Sequence, residues 1–180
     1  MPEFLDEKEK KMLELESRRG IYNIVREFAG CHFREIERRS GLSTGLVKHH
    51  LDYMSRKGLI ACEKDGNNLR YFPKEFNSGN KKLMGVLRQK SLMRIILFII
   101  THEGCSHEQI AAHVKLSPST ASWHLKKLEE EGMIAPVKGG RKTFYEVSAN
   151  KEEIAKLLIT YRKSFFDALV DRAIEMWEFG

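Results

Sequence analysis

Hydrophobic residues recur at helical spacing along this chain, and each apolar stripe is followed by a glycine. The two clearest stripes in the first half are formed by Ile21, Ile24, Val25 and Phe28 and by Val47, Leu51 and Met54. Their spacing predicts two amphipathic helices, which stop at Gly30 and Gly58. Each helix is therefore expected to pack one face into a core.

The same pattern returns 74 residues later. Residues 21–71 align without a gap with residues 95–145, and fourteen of the aligned pairs are identical. The shared glycines fall at turn positions. A gap-free match of this length indicates two copies of one structural unit, and two copies are too few for a solenoid. We therefore predict two small domains.

Each copy predicts the same order of elements: a helix, a short helix, a tight turn, a third helix and a two-stranded hairpin. Ser17 and Ser91 are expected to cap the first helices. In the second copy, Ser106 and Gln109 have the spacing of a capping box, and Pro118 suits the first position of the third helix. The strands are joined by hairpin turns, Asp65-Gly66-Asn67-Asn68 and Gly139-Gly140-Arg141. This order predicts a mainly α-helical fold with small β-hairpin wings, in two tandem winged helix-turn-helix domains plus terminal helices.

The limits of the repeat also predict the domain boundaries. They are residues 1–17 for a charged N-terminal helix, 18–76 for the first winged helix-turn-helix, 77–90 for a linker, 91–149 for the second winged helix-turn-helix and 150–180 for a C-terminal helix. The linker prediction depends on the turn-like run from Asn77 to Asn80.

The C-terminal segment predicts a long helix, capped by Asn150 and running to about Phe179. Its apolar stripe consists of Ile154, Leu158, Tyr161, Phe165 and Leu169. Such a stripe needs a cover, either from the modules of its own chain or from a second chain. We expect a homodimer that is held together by residues 150–180.

Charge is concentrated in the first repeat. Residues 18–94 carry 17 Lys and Arg against 7 Asp and Glu, whereas residues 95–149 carry six of each. The net charge of the chain is +6. A basic middle region favours a polyanionic partner. We expect the first module to supply most of the salt-dependent affinity for that partner.

Other classes of protein are less consistent with the sequence. The longest apolar run, Ile95–Ile100, is too short to cross a bilayer. The charged stretch Pro2–Glu16 has no signal-peptide core, and three unpaired cysteines do not form a disulfide framework. We expect a cytoplasmic protein without a membrane partner. With no phosphate-binding loop and no nucleophile motif, we expect neither an enzyme nor a cofactor.

The helix-turn-helix places its last helix in the major groove of double-stranded DNA. The candidate groove residues are Thr44, Gly45, Lys48 and His49 in the first copy and Ser119, Thr120, Ser122, Trp123 and Lys126 in the second. The candidate wing residues, expected at the DNA backbone or minor groove, are Lys64, Asn67, Asn68, Arg70, Lys138, Arg141 and Lys142.

Several of these residues have a second interpretation. Trp123 either contacts sugar or thymine methyl groups, or it packs against a neighbouring element of the protein. His50 and His124 lie nearer the buried stripe and are interpreted as structural. Some potential metal ligands also lie close in sequence, namely His102, Cys105, His107 and His113. Because Cys105 matches Cys31 at a turn, we expect no metal site there.

The segment Leu116–Ile134 resembles the recognition helix and first wing strand of ArsR/MarR-like winged-helix regulators. Its hydroxyl-rich start, its His-Leu-Lys-Lys-Leu core and its Gly-Met-Ile end carry the resemblance. The first copy departs from this pattern at Gly45, Leu46 and Tyr53. Residues 17–147 as a whole are similar to the two-module winged-helix regulators of archaea.

The resemblance implies a sequence-specific regulator of transcription that binds double-stranded DNA, with the second module supplying more of the discrimination between sequences. The alternative is a winged-helix protein-interaction or architectural module of a transcription or replication complex. RNA is a weaker alternative, because the major groove of A-form RNA is too narrow for a helix.

Overall fold

The computed structural model describes residues 6–140 and 142–165. The chain divides into two compact units between Lys81 and Lys82. Each unit contains one copy of the repeat, and each copy folds as a helix-turn-helix with a small antiparallel sheet. The tandem winged helix-turn-helix architecture predicted from the sequence is the one observed.

The first unit begins with the helices α1 (Glu7–Met12) and α2 (Glu16–Glu27). Next come the short strand β1 (Cys31–His32) and the helix-turn-helix pair α3 (Phe33–Ser40) and α4 (Thr44–Arg56). The strands β2 (Ile60–Asp65) and β3 (Asn68–Pro73) form the wing. The sheet order is β1-β3-β2, with both pairings antiparallel.

The second unit repeats this order. Its helix α6 (Lys90–Thr101) is followed by β4 (Cys105–Ser106), α7 (His107–Val114) and α8 (Pro118–Glu130). Its wing consists of β5 (Ile134–Gly139) and β6 (Lys142–Val147), in the sheet order β4-β6-β5. Helix α9 (Lys151–Thr160) follows the wing.

The predicted apolar stripes form the cores. In the first unit, Val47, Leu51 and Met54 of α4 pack in one cluster with Ile21 and Val25 of α2. In the second unit, the matching positions of α8 are buried as well, and they are Ala121, Leu125 and Leu128. Each third helix is thus fixed from one side by burial of apolar area, which leaves its other side exposed.

The third helices end in the same way in both units. Gly58 and Gly132 each have a φ of +68°, a left-handed conformation in which a side chain is strained. The N–H of the next residue, Leu59 or Met133, then bonds back to the carbonyl of Met54 or Leu128. This turn directs the chain from the helix into the first wing strand.

Some predictions about the first helices were wrong. Helix α2 begins at Glu16 and α6 at Lys90, so both helices start before the serines that were expected to cap them. Ser17 instead forms a hydrogen bond with His50, in which its Oγ lies 2.9 Å from Nε2. Each sheet also has a third strand, β1 or β4, which the sequence analysis did not predict.

The predicted linker, residues 77–90, contains a helix, α5 (Ser78–Leu87). The side chain of Asn77 accepts a hydrogen bond of 2.7 Å from the Asn80 N–H, which is a helix-capping contact. The turn-like residues at the start of the linker therefore begin a helix. Its apolar residues are buried, among them Leu83, Met84 and Leu87.

The C-terminal helix begins as predicted, because Asn150 accepts hydrogen bonds from the N–H groups of Glu152 and Glu153. Helix α9 ends at Thr160, and helical residues resume at 162–165 after a turn at Tyr161; the predicted end near Phe179 lies outside the described residues. Of the predicted stripe, Ile154 and Phe165 are buried within the single chain, and Leu169 lies outside the described residues.

Among the described residues, every helix is too short or too polar to span a membrane.

Candidate nucleic-acid interface

The exposed sides of α4 and α8 contain the residues that were predicted to enter the major groove. In α4, Thr44, Gly45, Lys48 and His49 are all exposed. In α8 the exposed candidates are Ser119, Thr120, Ser122, Trp123 and Lys126. Both helices therefore present an accessible N-terminal half that is polar apart from Leu46 and Trp123, while their buried apolar stripes fill the cores.

The start of α4 is held by a contact to the preceding helix. The hydroxyl of Thr44 donates a hydrogen bond to the Glu37 carboxylate. Its proton is therefore engaged within the protein. Lys48 and His49 extend from the next turn, and the His49 ring meets the His50 ring edge-on at 5.4 Å between centroids.

The start of α8 has a capped N-terminus rich in hydroxyl groups. Ser117 accepts a hydrogen bond from the Thr120 N–H, and Pro118 occupies the first turn, as predicted. The hydroxyl of Ser122 lies 2.8 Å from His107 Nε2 on α7. Lys126 Nζ lies 3.9 Å from Glu130 Oε1, and this exposed ion pair contributes little to stability.

The wing tips are exposed as well. Lys64, Asn67 and Asn68 surround the first turn, and Lys138 and Lys142 surround the second. All five side chains are accessible to a phosphate backbone. Arg141, which was predicted at the tip of the second wing, lies outside the described residues.

Arg70 is a correction to the predicted site. It was expected on the wing surface, but its residue is only 7% exposed. Its Nε donates a hydrogen bond of 2.7 Å to Asp65, and one Nη donates a bond of 2.9 Å to the Gly30 carbonyl. These contacts make Arg70 a structural residue that joins β3 to the turn before β1, which argues against the predicted DNA contact.

His50 and His124 are placed at matching positions inside the two units. His50 is buried, and His124 is partly buried. The Nδ1 atom of each ring is buried without a hydrogen-bond partner among the described residues. Burial lowers the pKa of both imidazoles, with a further contribution from Arg18 at His50 and from Lys127 at His124. The burial of the two rings agrees with the interpretation of both histidines as structural residues.

Two basic residues near this surface were missed in the sequence analysis. Arg34 and Arg38 lie one turn apart on α3, and both are exposed. Together with Phe33, Glu37 and Thr44 they line an open concavity of about 540 Å³ beside the start of α4. The signal in the sequence was their i, i+4 spacing on the helix that crosses the DNA backbone in a helix-turn-helix.

The third arginine of α3 has a different role. The Arg39 guanidinium lies 3.6 Å from the centroid of the Phe28 ring, and its Nε is 3.2 Å from Glu35. In the second copy, the positions of Arg34 and Arg38 are occupied by Glu108 and Ala112. The two units therefore differ in charge beside their third helices.

The histidines around α6 form a ring stack. Phe98 stacks on His102 at 4.3 Å and on His113 at 4.2 Å between centroids. Within the described part of the chain, no three His, Cys, Asp or Glu side chains gather in a way that could hold a metal ion.

Two protein families match the chain, one in each unit for the most part. Residues 15–84 match a family described as an N-terminal HTH domain, where HTH stands for helix-turn-helix. Residues 88–135 match a family described as winged helix-turn-helix DNA-binding. The chain is a tandem helix-turn-helix protein. These matches confirm the predicted fold class of two tandem helix-turn-helix domains.

A relative of this tandem helix-turn-helix protein occurs in Methanocaldococcus jannaschii. It is named as an uncharacterized HTH-type transcriptional regulator and is 29% identical over 142 residues. The alignment covers 78% of this chain and 35% of the relative. The tandem helix-turn-helix protein thus spans about a third of the length of the curated relative it matches.

Proposed function

We propose that this chain regulates transcription by binding specific sequences of double-stranded DNA. The third helix of each module lies in the major groove, and the basic wings contact the backbone. One observation carries the proposal: α4 and α8 each bury one apolar stripe and expose an N-terminal half that is polar apart from Leu46 and Trp123. Two equivalent helices with this arrangement match the recognition helix of a helix-turn-helix.

Basic side chains beside the helices support a role in contacting phosphates. Lys64 in the first wing and Lys138 and Lys142 in the second are exposed, as are Arg34 and Arg38 on α3. Such contacts fix the position of a protein on the duplex and supply affinity that falls with salt. Direct reading of the bases then falls to the exposed residues of α4 and α8.

Binding to labelled duplexes tests the proposal. The full chain is titrated into a random-sequence duplex at low and high salt, and anisotropy reports binding. We expect binding that weakens as salt rises. On a duplex selected from a random pool, Lys48→Ala and Lys126→Ala should each weaken binding by roughly 1 to 3 kcal/mol where the lysine contacts a base edge.

The matched control is Arg56→Ala, which removes an exposed cation at the opposite end of α4. It should leave the affinity close to that of the unaltered chain. A chain that binds no duplex at low salt overturns the proposal and favours the protein-interaction alternative. If both lysine variants bind the selected duplex as tightly as the unaltered chain does, the proposed placement of α4 and α8 in the major groove is wrong.

The homodimer expected through residues 150–180 stays a prediction. Because Ile154 and Phe165 are buried in the single chain, an interface on α9 has to use other residues, and Ile159 is 78% exposed. Light scattering at micromolar concentration measures the mass. A dimer that Ile159→Glu converts to a monomer supports an interface on α9, and a monomeric unaltered chain contradicts the prediction.

A further inference from the structure

Trp123 on α8 leaves 60% of its surface exposed. By helix geometry, Ser119 lies one turn before it and Lys126 nearly one turn after it on the same side. An indole on a polar helix face keeps a large apolar area in water. Its neighbours, hydroxyl groups and a cation, are those expected next to DNA.

The indole is held in place by side chains of its own unit. The His124 ring meets it edge-on at 5.0 Å between centroids, and Lys127 Nζ lies 5.6 Å from the centre of its ring. Lys127 Nζ also donates a hydrogen bond of 3.1 Å to Gln89 Oε1. The orientation of Trp123 is therefore supported before any ligand binds, which lowers the entropy lost on binding.

We propose that Trp123 reads thymine, by packing its indole against the C5-methyl group of that base in the major groove. The inference rests on the proposed function, because it assigns a base to one position of the same helix. In duplex DNA the base faces are stacked and only the edges are accessible. Among the four base pairs, the apolar group at the major-groove edge is the thymine methyl.

The first copy offers a natural comparison. At the position that matches Trp123 it carries His49, which is also exposed and also meets the next histidine edge-on. An imidazole forms hydrogen bonds and has little apolar area for a methyl group. The first module therefore has no preference for the thymine methyl at its matching base step, and the two residues can be exchanged as a test.

The experiment uses the full chain and a duplex that it selects from a random pool. Each thymine of the selected duplex is replaced in turn by deoxyuridine, which lacks the methyl group and pairs in the same way. Dissociation constants are measured by anisotropy. For the unaltered chain we expect about fourfold weaker binding at one or two positions, which is the effect of losing one buried methyl group.

The variants assign this effect to the indole. Trp123→Ala and Trp123→His should bind the thymine and deoxyuridine duplexes equally, whereas Trp123→Phe should retain part of the difference. His49→Trp should create a new sensitivity to deoxyuridine in the half of the site read by the first module. Thermal unfolding of each variant establishes that it is folded.

The outcomes separate this inference from the proposed function. If the pool yields no enriched duplex, the proposed function fails at the selection step. If a duplex is enriched but no deoxyuridine weakens binding, the thymine contact is wrong while DNA binding stands. A difference between thymine and deoxyuridine that persists in folded Trp123→Ala also overturns the assignment.

Discussion

At the scale of single residues, the two wings secure their strands by different chemistry at matching positions. In the first wing, the Arg70 guanidinium binds Asp65 and the Gly30 carbonyl. In the second wing, the same positions hold Phe144 and Gly139. A Cβ atom on Gly139 would lie 2.6 Å from the Phe144 ring, so the ring packs directly over the glycine. An ion pair in one copy corresponds to an aromatic side chain over a glycine in the other.

Arg70→Ala should therefore destabilise the first unit without removing a DNA contact. We expect the free energy of unfolding to fall by about 2 kcal/mol, because two charge-assisted hydrogen bonds of a buried group are lost. Denaturant unfolding measures this change. Lys64→Ala is the control, since that side chain is exposed on the same wing. An Arg70→Ala variant that is fully stable but binds DNA more weakly would restore the wing-surface prediction.

His50 should make the stability of the protein depend on pH. Burial lowers the pKa of its imidazole, so the folded state favours the neutral ring. The unfolded state, with a pKa of about 6.5, then binds more protons at mildly acidic pH. The resulting stability is complete above about pH 6.5 and is lost as pH falls from there through the lower folded-state pKa.

The prediction for His50→Gln is a flatter pH profile. Unfolding free energies measured from pH 7.5 downward should decline less steeply below about pH 6.5 than in the unaltered chain. His124 titrates in the same direction, so part of the slope remains. His102→Gln, at an exposed histidine away from His50, is the control and should leave the profile close to that of the unaltered chain. Identical slopes for His50→Gln and the unaltered chain would mean that His50 does not contribute.

Residue type alone did not distinguish the exposed wing residues from the buried one. Lys64 and Asn67 follow the general rule that turn residues are polar and exposed, and the structure exposes them. Arg70 has the same polar character, but its burial depends on two partners that lie 5 and 40 residues away. Contacts at that sequence distance leave no periodic signal.

At the scale of secondary-structure elements, α7 and α4 differ in how they begin. The Ser106 side chain accepts a hydrogen bond from the Gln109 N–H, while the Gln109 side chain accepts one from the Ser106 N–H. Ser43 occupies the N-cap position of α4, but its side chain makes no capping hydrogen bond among the described residues. A serine side chain at the N-cap is therefore expected to contribute more to the free energy of unfolding at α7 than at α4.

Ser106→Ala should lower the free energy of unfolding by about 1 kcal/mol, the usual effect of losing an N-cap side chain. Ser43→Ala is the matched comparison and should change stability by less, since it removes no such bond. Thermal or denaturant unfolding of the two variants gives the difference. If both variants lose the same free energy of unfolding, the capping hydrogen bond of Ser106 does not add to stability.

The elements that sequence could predict were those with a strong local signal. Pro118 and the Ser106–Gln109 spacing marked the starts of two helices correctly. The strands β1 and β4 have two residues each, too few to show an alternating pattern. Ser17 failed as a predicted cap because its hydroxyl is bonded to His50, a contact 33 residues away in sequence.

At the scale of the whole molecule, positive charge lies mainly on the first repeat. We expect the first module, residues 18–76, to bind random duplex DNA with a steeper salt dependence than the second module, residues 91–149. The first carries twelve Lys and Arg against seven Asp and Glu, and the second carries seven against six. The reason is that neutralising each phosphate releases counterions, which contributes about 0.9 to the slope of log affinity against log salt concentration. Anisotropy titrations across a salt series measure both slopes.

Variants of the full chain control for the effects of separating the units. Arg34→Ala and Arg38→Ala should each reduce the slope by about 0.9 if each arginine meets one phosphate. In the second unit, Ala112→Arg should raise it by a similar amount, because this position matches Arg38. A steeper slope for residues 91–149 than for residues 18–76 would contradict the assignment of salt-dependent affinity to the first module.

The difference between α4 and α8 would give a chain bound at the proposed site an orientation. A site read by α4 and α8 has no twofold axis, because one helix presents Lys48 and His49 and the other presents Trp123 and Lys126. A single chain on the proposed site therefore has a defined leading module along the duplex. Turning the site around relative to a gene would exchange which module faces the start of transcription. The duplicated fold, with its unlike side chains, can thus encode direction as well as position.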